Sequence, residues 1–299
     1  MNIRYYFFIL FLIPLLVSCD PSTTNLDMKG MFSGQSPRVN QRFADSEIWN
    51  AEHGYPIVHS ASDVYRVYIA SDSHIDTTRT NLLDFVHSYR SDAACPLAIH
   101  LGDHINAQNH WQFMYETYTM VRPVAGKVDT LLTVAGNHDL YFEQWTEYLR
   151  YFHTSTYYFE VQTPSGIRDL YVMLDTGDGQ LGTDQMAWLR RVLAWADKES
   201  FRHRIICSHT NLFYREGLRL TMTSTMPMEE VYELISLFTT HHVDMFWSGH
   251  RHVAEQLEMN GVVYIVAPAL MDTDSNAGYL IATIGDTISL ETIPAATIL

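Results

Sequence analysis

Five short apolar runs in this chain each stop at a polar cluster, and every cluster is built around Asp, Asn or His. The run at 64–70 leads into Ser71-Asp72-Ser73-His74, and the run at 97–101 into Gly102-Asp103-His104. Residues 128–135 lead into Gly136-Asn137-His138-Asp139, and 204–207 into Ser208-His209-Thr210-Asn211. The last, 244–247, ends in Ser248-Gly249-His250-Arg251-His252. Buried strands of α/β proteins read as such runs, and open α/β sheets bind ligands beyond the carboxyl ends of their strands. Core packing alone gives no reason for polar ligands at five successive strand ends. Between the runs, apolar spacing predicts helices over 81–89, 110–121, 143–152, 183–199 (with Thr183 as N-cap) and 229–240. Further strands are expected at 156–161, 170–174 and 262–266 and in the tail to residue 293. Strand–helix alternation followed by consecutive β runs predicts an α/β architecture of mixed sheets with helices outside.

In an extended segment residues two apart share a face, so Asp72 with His74, and His250 with His252, can each grip one ion. Together the clusters supply Asp72, His74, Asp103, Asn137, His209, His250 and His252, enough for two ions sharing one bridging carboxylate. Imidazole and oxygen ligands without thiolate suit zinc, manganese or iron rather than calcium. No CxxC is present, which excludes a thiolate zinc knuckle. His138 adds a proton carrier near neutral pH, and Asp139 a carboxylate.

The order DxH, GD, GNHD, H, GHxH resembles the calcineurin-like metallophosphoesterase family, over about residues 65 to 293. The segments Tyr157-Tyr158-Phe159, Leu174-Asp175-Thr176 and Gln185-Met186-Ala187-Trp188-Leu189 resemble family segments between the third and fourth motifs. The resemblance implies two packed mixed β-sheets flanked by helices, with a dinuclear manganese, iron or zinc site at the strand ends. It puts Asp72, His74, Asp103 and His252 on the first metal, and Asp103, Asn137, His209 and His250 on the second. It also implies phosphate-ester hydrolysis, in which a bridging hydroxide attacks phosphorus and His138, not a ligand, assists the leaving oxygen. Asp139 is expected to orient a ligand. The chain departs from the pattern at Asn106, where some members carry a carboxylate that supports the histidine. An amide there can orient His138 but cannot stabilise its cation. A tyrosine at that position would fit a purple acid phosphatase-like iron site, and none is present. Arg251 is expected to point away from its neighbouring histidines, and His104 and His110 to be structural or solvated. The segment 211–229 reads as a substrate-selecting loop, with Arg215 or Arg219 as candidates to hold a second phosphate.

At the N-terminus Arg4 precedes an apolar run over 5–17, too short for a membrane span and suited to a signal peptide. It ends in Leu16-Val17-Ser18-Cys19, which resembles the lipobox of bacterial lipoproteins and implies cleavage before Cys19 and lipid on that residue. The expected organisation is a signal peptide over 1–18, a flexible tether over 19–45 and the catalytic domain over 46–299. The expected location is extracytoplasmic, anchored by lipid to a bacterial membrane. The net charge of −15 becomes −16 once Arg4 is lost, with 18 basic against 34 acidic residues. That balance argues against nucleic acid as a partner and points to a small phosphate ester as substrate. The competing readings are a nuclease-like or cyclic-nucleotide phosphodiesterase, and a non-catalytic surface lipoprotein that binds a phosphorylated ligand. Cys95 and Cys207 border apolar runs and are expected to be buried thiols rather than a bridge.

Overall fold

Side chains alternate across each strand, and in this chain both faces of most strands are apolar, so two sheets can stack and still be covered outside. The structure, a computed structural model, describes residues 38–124, 130–217 and 219–295. One sheet has the spatial order β1 (Ile57–His59), β5 (Tyr157–Gln162), β6 (Arg168–Leu174), β7 (Phe201–Ser208), β10 (Met245–Ser248), β12 (Val262–Val266) and β11 (Glu255–Met259). The other has the order β14 (Ile288–Pro294), β13 (Gly278–Ile284), β2 (Tyr65–Ala70), β3 (Leu97–His100) and β4 (Leu131–Thr133). In the second sheet β13 pairs antiparallel with β2, while β2, β3 and β4 run parallel. In the first, β6, β7, β10 and β12 run parallel. The carboxyl ends of both parallel sets open on the same edge of the sandwich, since His209 and His252, after β7 and β10, approach Asp103 and Asp72, after β3 and β2.

Val67, Ile69 and Ile99 of one sheet meet Met173, Cys207 and Trp247 of the other in a shared core. The outer faces pack on helices. Helices α2 (Thr80–Ser91), α3 (Trp111–Met120) and α4 (Trp145–Phe152) cover the second sheet, and α5 (Thr183–Ala196) and α6 (Met228–Thr240) the first. This is the mixed α/β sandwich flanked by helices that the sequence leads one to expect.

Three expectations need correction. The tether was expected to reach residue 45, yet helix α1 (Val39–His53) starts at Val39 and packs on the domain. Its buried positions are Val39, Arg42, Phe43, Ser46 and Asn50, a helical spacing in which three of five members are polar. Arg42 is fully buried and makes a bidentate pair with Asp175, at 2.8 and 2.9 Å, and a further contact with Asp178 at 3.1 Å. Burial opposes the charged guanidinium, but the two carboxylates more than offset it and raise its pKa. Second, Thr183 is not the N-cap of α5; Gly182 is. The Glu230 carboxylate accepts from the Leu181 and Gly182 N–H groups at 2.7 and 3.0 Å, so the cap comes from α6. Third, the long loop after residue 211 contains a hairpin, β8 (Phe213–Glu216) and β9 (Arg219–Met222). Residues 1–37, which include Cys19, the signal peptide read over 1–18 and most of the tether, lie outside the described residues. Among the described residues, no helix is long and apolar enough to cross a membrane.

Cys95 and Cys207 are buried, and burial pushes the Cys207 thiol pKa up. Neither is expected to react with a thiol reagent in the native protein, and both should react once it is unfolded. Peptide mass mapping checks this; labelling of Cys207 under native conditions would contradict the packing between the sheets.

Candidate metal centre

Two backbone features bring the strand-end clusters together. Asp72, His74, Asp103, His250 and His252 all hold left-handed φ angles, between 41° and 71°. Non-glycine residues rarely adopt that region, at a cost of about 1–3 kcal/mol each, and such strain concentrates at functional sites. Asp72 with His74, and His250 with His252, therefore converge through kinks and not, as the sequence suggests, through an extended strand. The second feature is missing side chains. A Cβ on Gly136 would lie 2.2 Å from Asp103 Oδ1, and one on Gly249 1.8 Å from Ser71 Oγ and 2.7 Å from Asp72 Oδ2. Only glycine lets these loops close onto the carboxylates.

All seven expected ligands are brought into one cluster. His252 Nε2 lies 3.2 Å from both Asp72 Oδ1 and His74 Nε2. Asp103 turns one oxygen to each half of the cluster. Its Oδ2 is 3.5 Å from His74 Nε2, and its Oδ1 is 3.5 Å from His209 Nε2. On the second side His209 Nε2 is 3.1 Å from Asn137 Oδ1 and 3.2 Å from His250 Nδ1.

These atoms need a cation. His209 Nδ1 donates to the Leu101 carbonyl at 2.8 Å, which leaves the lone pair on Nε2. That lone pair faces the Asn137 oxygen, which cannot donate, and an Asp103 oxygen, which cannot donate while the carboxylate is ionised. Asp72 Oδ1 is buried and has no donor aligned on it. Burial, together with the charges of Asp72 and Asp139, drives the Asp103 pKa well up. His74 is held at about 4 by burial, which keeps it as the neutral imidazole that metal ligation requires. Two groups of three, Asp72–His74–His252 and Asp103–His209–His250, each converge closely enough to hold an ion. The residues present therefore fit two cations.

The surroundings hold this geometry. Asp72 Oδ2 accepts from Ser71 Oγ at 2.6 Å and from the His250 N–H at 2.8 Å. Asp139 accepts from the Asp103, His104 and Gly136 N–H groups at 2.8 to 2.9 Å and from His104 Nδ1 at 2.9 Å. Burial would raise its pKa, but the His104 ring and these hydrogen bonds lower it. Asp139 thus ties the Asp103 loop to the Asn137 loop, and His104 is its buried partner.

His138 stands at the edge of the cluster, its ring 4.4 Å from that of His74. Its backbone N–H donates to Asp103 Oδ1 at 2.8 Å, and its Nδ1 is buried. Burial lowers its pKa, opposed by the charge of Asp139 and by the backbone carbonyl of Asn106. The Asn106 side chain is exposed, and its N–H bonds the Ile75 carbonyl at 2.9 Å. Asn106 thus reaches His138 through its backbone, not through the amide that the sequence suggested. A third convergent group, His74–Asp103–His138, also includes this histidine. Arg251 lays its guanidinium over the Tyr214 ring at 4.2 Å, while Arg215 and Arg219 are exposed on the hairpin. His110 is 3.5 Å from Asp76. The sequence reading missed Tyr141, whose hydroxyl accepts from Asn137 Nδ2 at 2.9 Å; only its place four residues after Asn137 hints at it.

Solved structures share this architecture. GAP50, the anchor in the inner membrane complex of Plasmodium, is 13% identical, with a TM-score of 0.60 over 79% of this chain and 86% of that one. A Staphylococcus aureus protein provisionally assigned as a 5′-nucleotidase is 14% identical, with a TM-score of 0.53 over 78% of this chain and 54% of that one. At these identities the likeness concerns the fold. The chain has no significant match among curated proteins. The family model for calcineurin-like phosphoesterases matches residues 65–254, a span that contains every strand-end cluster described above. By that match the chain belongs to the calcineurin-like phosphoesterase family.

Proposed function

We propose that the protein hydrolyses a small phosphate ester at a dinuclear metal centre, as a lipid-anchored, extracytoplasmic enzyme. Family membership makes it a phosphoester hydrolase. The observation that carries the dinuclear reading is the split of the Asp103 carboxylate, each oxygen 3.5 Å from a histidine nitrogen of a different half-site. In this reading Asp72, His74, Asp103 and His252 hold one cation, and Asp103, Asn137, His209 and His250 the other. When bound, two such cations acidify a water enough to attack phosphorus near neutral pH and offset charge on the phosphoryl oxygens. The chain itself supplies the rest. Asp139 keeps the two acidic loops in register, and His138 gives a proton, or a hydrogen bond, to the leaving oxygen.

The anchor and its location rest on the sequence around Cys19, and the metals on the donor set, which suits manganese, iron or zinc. The acidic chain, at −15, favours a small ester over a nucleic acid. A non-catalytic role would tolerate loss of ligand positions or of His138, and all are present.

Protein stripped with a chelator and equilibrated with manganese, iron or zinc is expected to take up two ions per chain. It should regain turnover of aryl phosphates with them. Elemental analysis alongside a panel of monoesters, diesters and pyrophosphates measures both. Retention of no metal would sink the site; tight phosphate binding without turnover on any ester class would sink the enzyme.

A further inference from the structure

We infer that Tyr141 is a positioning residue for the second cation, acting through Asn137; this rests on the dinuclear reading above. An amide has one end that can ligate and one that cannot. Its oxygen carries lone pairs and its NH₂ carries none, although the two ends are alike in size. In this chain Oδ1 faces His209 Nε2 at 3.1 Å and Nδ2 donates to the Tyr141 hydroxyl at 2.9 Å. Asn137 is buried, so without that hydroxyl its NH₂ would lose this partner while the oxygen faces the cation.

A second observation concerns how Tyr141 is held. Its ring packs 4.9 Å from that of His138. The next two residues, Phe142 and Glu143, adopt left-handed φ angles of 59° and 63°, although neither is glycine. Phe142 is left 53% exposed by this path. Consecutive strained residues persist only where surrounding structure enforces them. Here they fall directly after Tyr141, whose side chain contacts both Asn137 and His138. The hydroxyl thus has a place that the backbone is bent to maintain.

The test is Tyr141→Phe in the full chain, which removes one oxygen atom and leaves the ring. Manganese titration of the chelator-stripped protein by calorimetry is expected to show the second cation weakened by about 10–100-fold, the usual effect of losing a group that orients a ligand. The first cation should bind as before, and the melting temperature of the metal-free protein should not move. In an Asn137→Asp background both carboxylate oxygens can accept, so the same Tyr141→Phe change should cost no more than a few-fold. If the unaltered protein binds two ions and Tyr141→Phe matches it, the assignment of Tyr141 falls and the dinuclear reading stands. Equal weakening of both cations together with a lower melting temperature would mean a packing role and also overturns the assignment. An unaltered protein that binds a single ion removes the dinuclear reading and this inference with it.

Discussion

Replacing His138 with asparagine is expected to lower kcat for an alkyl phosphate by ~10²–10⁴-fold, the range typical of a lost general acid. The loss should depend on the leaving group. An alkoxide is a poor leaving group and needs a proton, whereas a nitrophenolate leaves well without one. The same variant should therefore lose far less activity on a nitrophenyl phosphate. This contrast separates two roles that the geometry keeps close, because His138 also falls in a convergent group with His74 and Asp103. A histidine that held a cation would cost metal content and hurt both substrates alike. The measurement is a pair of kcat values alongside metal stoichiometry. Equal losses on the two esters, with metal retained, would remove the proton-donor role and leave His138 as a substrate-positioning group.

Replacing Arg42 with methionine is expected to destabilise the fold by about 3–5 kcal/mol, the cost of leaving a buried ion pair without one partner. Asp175 and Asp178 would then lose the cation they now share; Asp178 is already raised by burial, with Arg42 opposing the shift. For a domain of this size the melting temperature should fall by roughly 10 °C. The damage should also reach the site. Asp175 takes hydrogen bonds from Ser155 Oγ at 2.8 Å and the Gly177 N–H at 3.1 Å. A Cβ on Gly177 would lie 2.9 Å from the Gly136 carbonyl oxygen, so this segment packs against the Asn137 loop. Thr176 holds Thr210 through two hydrogen bonds of 2.9 Å, directly after His209. Thermal unfolding of the variant measures the loss. A melting temperature within a degree of the parent would show that the ion pair contributes little.

The clustered Asp, Asn and His residues were legible because each follows an apolar run in sequence, and a strand end carries its polar residues to a predictable edge. Most strands of the two large sheets and the five helices after residue 80 were legible for a similar reason, since each has an apolar face; the edge strands β1 and β11 and the β8–β9 hairpin were not read. Helix α1 was not, because its buried face includes Arg42, Ser46 and Asn50, and polar residues at helical spacing read as a tether. Arg42 is interior only because Asp175 stands 133 residues away to neutralise it, and no local pattern reports that. The left-handed kinks at Asp72, His74, His250 and His252 were also hidden. Those residue types fit an extended segment as well, and only the fold shows which path the backbone takes. Tyr141 escaped notice because its contribution is one hydroxyl on a neighbour's amide.

The pairing of β13 with β2 has a practical side. The family match ends at residue 254, ahead of β13 and β14, and begins at 65, after α1. A fragment cut to that span would keep every residue of the strand-end clusters and yet expose β2, now the inner partner of β13, as an open edge of unpaired backbone groups. Such an edge is a template for association with other chains, so the fragment should be recovered as aggregate. A piece meant to fold must keep both α1 and the β13–β14 pair, from Val39 to Pro294, and so is wider than the family match at both ends.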